Sequence, residues 1–140
     1  METQKRQHLT FRLPEPTLRR LEARAHQIRE TRTGLAERYL EEGLRMDEHP
    51  GIGFVDGPAG RRAVLAGTGL DVWQVIGIVK ANRGSTAATV RYLEVAEGLV
   101  RDAVRYYAAF PDEIDAWLDL QAAAEEREEA AARRERAILG

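Results

Sequence analysis

No cysteine occurs in the 140 residues, which excludes disulfide staples, thiolate metal sites and a cysteine nucleophile. The three histidines, His8, His26 and His49, show no His-x-x-x-His or related ligand spacing, so no metal site is expected. The "GPAGRR" and "GTG" stretches are glycine-containing turns without the Lys-Ser/Thr of a phosphate-binding loop. No nucleophile stands with a convincing base. These gaps predict a protein that is not an enzyme, with no catalytic residues and no cofactor. An apolar run long enough to span a bilayer is also missing, and Met1 to Gln7 is polar, unlike a leader. The expectation is a soluble, cytoplasmic chain with no membrane partner.

What is present is a moderate apolar content, 44%, beside 31% charged residues, enough for one ordinary domain or two very small ones. The net charge of −2 conceals a polarised order. Lys5, Arg6, Arg12, Arg19, Arg20, Arg24, Arg29 and Arg32 face only Glu15, Glu22 and Glu30 over residues 5–32. Residues 111–140 reverse the balance, with four basic against nine acidic side chains. A basic N-terminal patch suits phosphate backbones, although such a patch is also an ordinary solvated face.

The stretch "QHLTFRLPEPTLRRLEARA", residues 7–25, alternates like a strand before it turns helical. Leu9, Phe11 and Leu13 share one face, and His8, Thr10 and Arg12 the other. A lone strand cannot satisfy its own backbone, and no second strand follows nearby. Pairing between two copies of the chain resolves this, so the stretch predicts a homodimer.

Punctuation gives the rest of a mainly α reading. Pro14 and Pro16 open a helix over about 15–30 with Leu18, Leu21, Ala25 and Ile28 at helical spacing. Thr31 stands where a cap belongs, and a second helix over about 32–46 turns Leu35, Tyr39, Leu40 and Leu44 inward. The loop "DEHPGIGFVDGPAG" marks a boundary, which predicts a module over 1–48, a linker over 49–59, a helical domain over 60–120 and a charged helical tail over 121–140. Helices are expected at about 71–82, 85–93 and 96–109, with Asp71 and Ser85 as caps and Gly84 as a break. Trp73, Val75, Ile76, Ile78, Val79, Val90, Tyr92, Leu93, Leu99, Val100, Val104, Tyr106 and Tyr107 form their expected core. From Pro111 onward the sequence is a nearly continuous helix former.

One strand beginning "LTFRLP", a helix, a Thr-capped turn and a second helix within residues 7–47 resemble the ribbon-helix-helix family of bacterial DNA-binding proteins. That resemblance implies an antiparallel two-stranded ribbon, one strand from each chain, laid into the major groove. Leu9, Phe11 and Leu13 then form the dimer core, and His8, Thr10 and Arg12 reach base edges, with Arg12 suited to paired hydrogen bonds with guanine. Lys5, Arg6 and the helix start at Thr31, Arg32, Thr33 and Gly34 are candidates for phosphate.

Residues 60–115 resemble a small helix-turn-helix domain found in VapB-type antitoxins, whose genes usually adjoin toxins with a PIN-like ribonuclease fold. The "LAGTGLDVW" turn and the "VRDAVRYYAAFPDEID" helix carry the likeness. Gly69 stands where many members have Arg, and the Pro common near Tyr92–Glu94 is absent here. Arg91, Arg101 and Arg105 are candidate DNA contacts of this domain, which is equally readable as a packing unit.

In the tail, Ile114, Trp117, Leu118 and Leu120 form an apolar stripe that only alanines continue until Ile138 and Leu139. Glu125 to Glu129 suit a basic groove, and Arg133, Arg134 and Arg136 suit a carboxylate-lined ribonuclease site. With Trp117 and Leu120 these arginines are candidates for toxin binding. The resulting expectation is an antitoxin of a type II toxin-antitoxin system that binds operator DNA, represses its own operon and neutralises a PIN-like ribonuclease. The alternatives are a stand-alone dimeric regulator and a DNA-organising protein of low sequence preference.

Overall fold

Pro14, with φ near −55°, and Pro16 at the second helical position place missing N–H groups where a helix start has no partner for them. They open α1, Glu15–Gln27, in a computed structural model that describes residues 5–140. Met1 to Gln4, the start of the expected first module, lie outside the described residues. Arg29 adopts a left-handed φ of 57°, and the Glu30 amide donates back to the Ala25 carbonyl at 2.9 Å, closing α1 about three residues earlier than its periodicity suggests. Thr31 then caps α2, Arg32–Glu48.

Residues 5–14 adopt neither helix nor strand in the single chain. The expected strand at 7–13 therefore has no ladder within one copy, because the only strands among the described residues are β1, Ile52–Val55, and β2, Arg62–Leu65, which pair with each other. Mainly α is the architecture shown. Two compact units divide the chain, one ending at Gly43 and the other Leu44–Gly140, so the division falls inside α2 and not after residue 48. The expected linker at 49–59 contains β1, whose antiparallel register sets Ile52 against Leu65 and Val55 against Arg62. Glycine and proline there mark the hairpin's bends; they do not mark a flexible tether.

After the hairpin come α3, Val72–Ala81, α4, Thr86–Leu93, α5, Glu97–Ala109, and α6, Pro111–Leu139. Each of the first three starts within a residue or two of its predicted position. Ser85 accepts the Ala88 amide at 3.1 Å, and the Asp71 amide donates to Gln74 Oε1 at 2.9 Å to complete a reciprocal cap. Gly67 and Gly69 take φ of 79° and 72° in the turn before α3, where a side chain meets strain. Thr68 Oγ1 donates to the Leu65 carbonyl and accepts the Leu70 amide, which locks that turn.

Ile52, Ala63, Leu65, Val72, Val75, Ile76, Val100, Ala103, Tyr106 and Ile114 form the core of the second unit. The hairpin supplies Ile52, Ala63 and Leu65, a contribution absent from the helical core predicted from sequence. Tyr92 and Val104, both expected inside, are exposed. Val104 falls on the side of α5 away from the hairpin, and Tyr92 on the side of α4 away from α3 and α5, against which α4 packs. The expected tail at 121–140 is the continuation of α6, whose first turns carry the buried Ile114 and the half-buried Trp117 and Leu118.

Candidate functional site

In the first unit, exposure is the informative property. Leu9 is 76% and Phe11 55% accessible, and Tyr39 and Leu40, expected inward on α2, are also exposed. Only Leu35 and Ala25 are fully covered among the apolar side chains of α1 and α2 up to Gly43. Two helices and an extended segment have too little partner surface to enclose the rest. Phe11, Leu13, Leu21, Ala36 and Leu40 line two open grooves, one of them mainly apolar. The grooves share these residues and form one continuous unpartnered face.

His8, Thr10 and Arg12 are all exposed, and among the described residues Arg12 makes no hydrogen bond or ion pair. Its guanidinium is fully available to a ligand. Lys5 is exposed as well, whereas Arg6 donates to Glu37 at 2.6 Å and Arg32 to Glu22 at 3.2 Å. Both pairs lie in solvent, where they contribute little and exchange readily for another anion. Thr31 Oγ1 accepts the Gly34 amide at 3.0 Å, so that N–H belongs to the cap and not to an incoming phosphate, a correction to its expected role. The Arg32 and Thr33 amides remain as the first-turn donors at the positive end of α2.

A polar and aromatic cluster that sequence spacing did not suggest organises the second unit. Tyr106, 0% accessible, donates to Glu113 Oε2 at 2.6 Å and accepts from Arg45 at 2.8 Å. Arg45 also donates to Glu113 Oε1 at 2.7 Å, and its guanidinium lies 3.8 Å from the centre of the Phe110 ring. The Tyr106 ring sits 4.9 Å from Phe110 and meets His49 edge-on at 5.4 Å. Burial, then the hydrogen bond to the Glu113 carboxylate, push the Tyr106 phenol well above its ordinary range, against the pull of Arg45. The phenol is a fixed donor at neutral pH. The charges of Arg45 and Glu113 are far apart in sequence, and only the fold brings them together.

On the outer side of the same unit Tyr107 donates to Asp115 at 2.7 Å, and Lys80 lies 3.4 Å from the same oxygen. The Tyr107 hydrogen bond, followed by Lys80, holds the Asp115 carboxyl below its usual range. Near the hairpin, Trp73 Nε1 donates to Asp71 Oδ2 at 2.8 Å, and Arg62 Nε lies 2.7 Å from that oxygen. The buried carboxylate of Asp71 thus joins β2 to the start of α3.

Arg91, Arg101 and Arg105 are exposed on α4 and α5, with Arg101 paired to Glu97 at 2.9 Å. Of the tail candidates, Trp117 is half-buried, its ring lying near the hairpin turn at Gly60, while Leu120, Arg133, Arg134 and Arg136 are exposed. Among the described residues no group of His, Asp or Glu side chains is placed to hold a metal ion, and no helix is long and apolar enough to cross a membrane. No family model, curated protein or solved structure matches the chain.

Proposed function

We propose that the protein is a dimeric, operator-binding antitoxin that neutralises a PIN-like ribonuclease toxin and represses its own operon. The observation that carries the DNA-binding half is the unpartnered face of Leu9, Phe11 and Leu13 beside the open α1 and α2 grooves. A second copy pairing its 7–13 segment antiparallel satisfies the backbone of both strands and covers this face in one step. The two-stranded ribbon then directs His8, Thr10 and Arg12 from each copy into the major groove. The Arg32 and Thr33 amides, with Lys5 and Arg6, hold the flanking phosphates.

Arg12→Ala is expected to weaken operator binding by roughly tenfold to a hundredfold and to relax base preference at one position per half-site. Electrophoretic mobility shifts with operator variants at fixed salt measure this. A uniform loss across all DNA sequences would reassign Arg12 to a phosphate.

The toxin-binding half rests on the resemblance of residues 60–115 and on the exposed charges of the tail. Co-expression with the products of the two neighbouring genes, followed by sizing, tests it. A complex with a small PIN-like protein, lost on removal of residues 50–140, is the expected result. No complex with either neighbour would leave a stand-alone repressor.

A further inference from the structure

Two arginines at the proposed phosphate surface are held by carboxylates from other elements of the same unit. Arg6, in the extended segment, donates to Glu37 on α2 at 2.6 Å, and Arg32, at the start of α2, donates to Glu22 on α1 at 3.2 Å. All four side chains are at least half exposed, so neither pair is a buried contact on which the fold depends. Lys5, Arg12, Arg20 and Arg29 belong to the same basic stretch, and among the described residues none of them makes an ion pair. Neutralisation of the stretch is therefore uneven.

Glu37 has a second relation to this surface. It lines the open groove that Arg12, Arg32 and Thr33 also line, and it is the one acidic side chain among the described residues there. Thr33 precedes it by four positions on α2, so Glu37 stands on the same helix face about 6 Å further along the axis. A negative charge so near the free first-turn amides competes with a phosphate for the positive end of the helix, as well as for Arg6. Carboxylate and phosphate oxygens make the same charge-assisted bond to a guanidinium, and they compete for the same donors.

We infer that Glu22 and Glu37 are built-in competitors of the DNA backbone, which hold Arg32 and Arg6 in the free protein and lower its affinity for phosphate. The inference rests on the operator-binding reading above. An exposed pair shifts an equilibrium by only about threefold, but a dimer carries each pair twice, which gives about tenfold for each carboxylate. Phosphates carry no sequence information, so the restraint applies alike to an operator and to any other duplex. Arg12, by contrast, has no carboxylate to displace.

Binding of the full-length chain to a mixed-sequence DNA duplex and to a duplex from the region upstream of its gene, at one fixed low salt concentration, tests this. Glu37→Gln is expected to tighten both complexes about tenfold, and Glu22→Gln, whose pair is longer, by a smaller factor. Glu15→Gln removes the same charge from the same unit, but Glu15 pairs with Arg19, which lines neither groove. Its expected effect is less than about twofold. In an Arg6→Ala chain the gain from Glu37→Gln is expected to fall to about threefold, the part that acts through the helix end.

Unchanged affinity in Glu37→Gln, an equal gain in Glu15→Gln, or a gain undiminished by Arg6→Ala each overturns the inference and leaves the operator-binding reading standing. A gain that sedimentation traces to a larger fraction of dimer overturns it as well. A chain that binds neither duplex rejects the operator-binding reading, and the inference with it.

Discussion

Tyr106→Ala is expected to lower the unfolding free energy of the second unit by about 4 kcal/mol, a large share of the roughly 5–15 kcal/mol available to an ordinary domain. The substitution empties a fully enclosed ring position between His49, Phe54 and Phe110. It also strips Glu113 of its phenol donor and Arg45 of an acceptor. Tyr106→Phe keeps the ring and removes only the hydroxyl, for an expected loss of about 1–2 kcal/mol. Urea denaturation followed by circular dichroism measures both. Equal losses for the two variants would show that the ring contributes nothing beyond its hydroxyl.

The same residue fixes an alkaline response. Its phenol holds its proton more tightly in the folded chain than in the unfolded one. The corresponding stability is complete below the unfolded phenol pKa of about 10 and is lost as pH rises beyond it. Lys80 is also raised in the fold, chiefly by its hydrogen bond with Tyr107, and loses stability in the same direction. Tyr106→Phe is therefore expected to keep a shallower alkaline decline, not to abolish it. A Tyr106→Phe chain with an undiminished decline would assign the effect elsewhere.

Phe11→Ala is expected to weaken dimerisation at least a hundredfold, and operator binding with it. The single chain leaves about half of this side chain in water, and the proposed dimer would cover it. Loss of even about 3 kcal/mol from the two symmetry-related rings raises the dimer dissociation constant by roughly two orders of magnitude. Sedimentation at several concentrations reads this directly. The second unit does not contain Phe11 and is expected to retain its unfolding midpoint, which separates loss of pairing from general misfolding. An unchanged dimer would remove residues 7–13 from the interface.

Helix positions were legible because their signals are local. Pro14 and Pro16, Thr31, Asp71 and Ser85 act through the first turn of their own helix, and each stands where a helix begins. The alternation of Leu9, Phe11 and Leu13 was legible as an exposed apolar face, while residues 5–14 form no strand in the single chain and the partner strand remains part of the proposal. The hairpin was not, since Ile52–Val55 and Arg62–Leu65 are short runs in a glycine-rich stretch with no clear alternation. Strand pairing is a relation between two segments, and neither segment announces it alone.

The chain's own order of residues was enough to place the helices, their caps and the basic patch at the start. Tertiary structure decided which apolar residues are core and which are surface. Tyr106 is enclosed and Tyr92, equally apolar in pattern, is not. It also decided that Arg45 and Glu113 meet on one phenol across a long separation in sequence. Caps and periodicity act over four residues, whereas burial and ion pairing depend on what the folded chain brings from a distance.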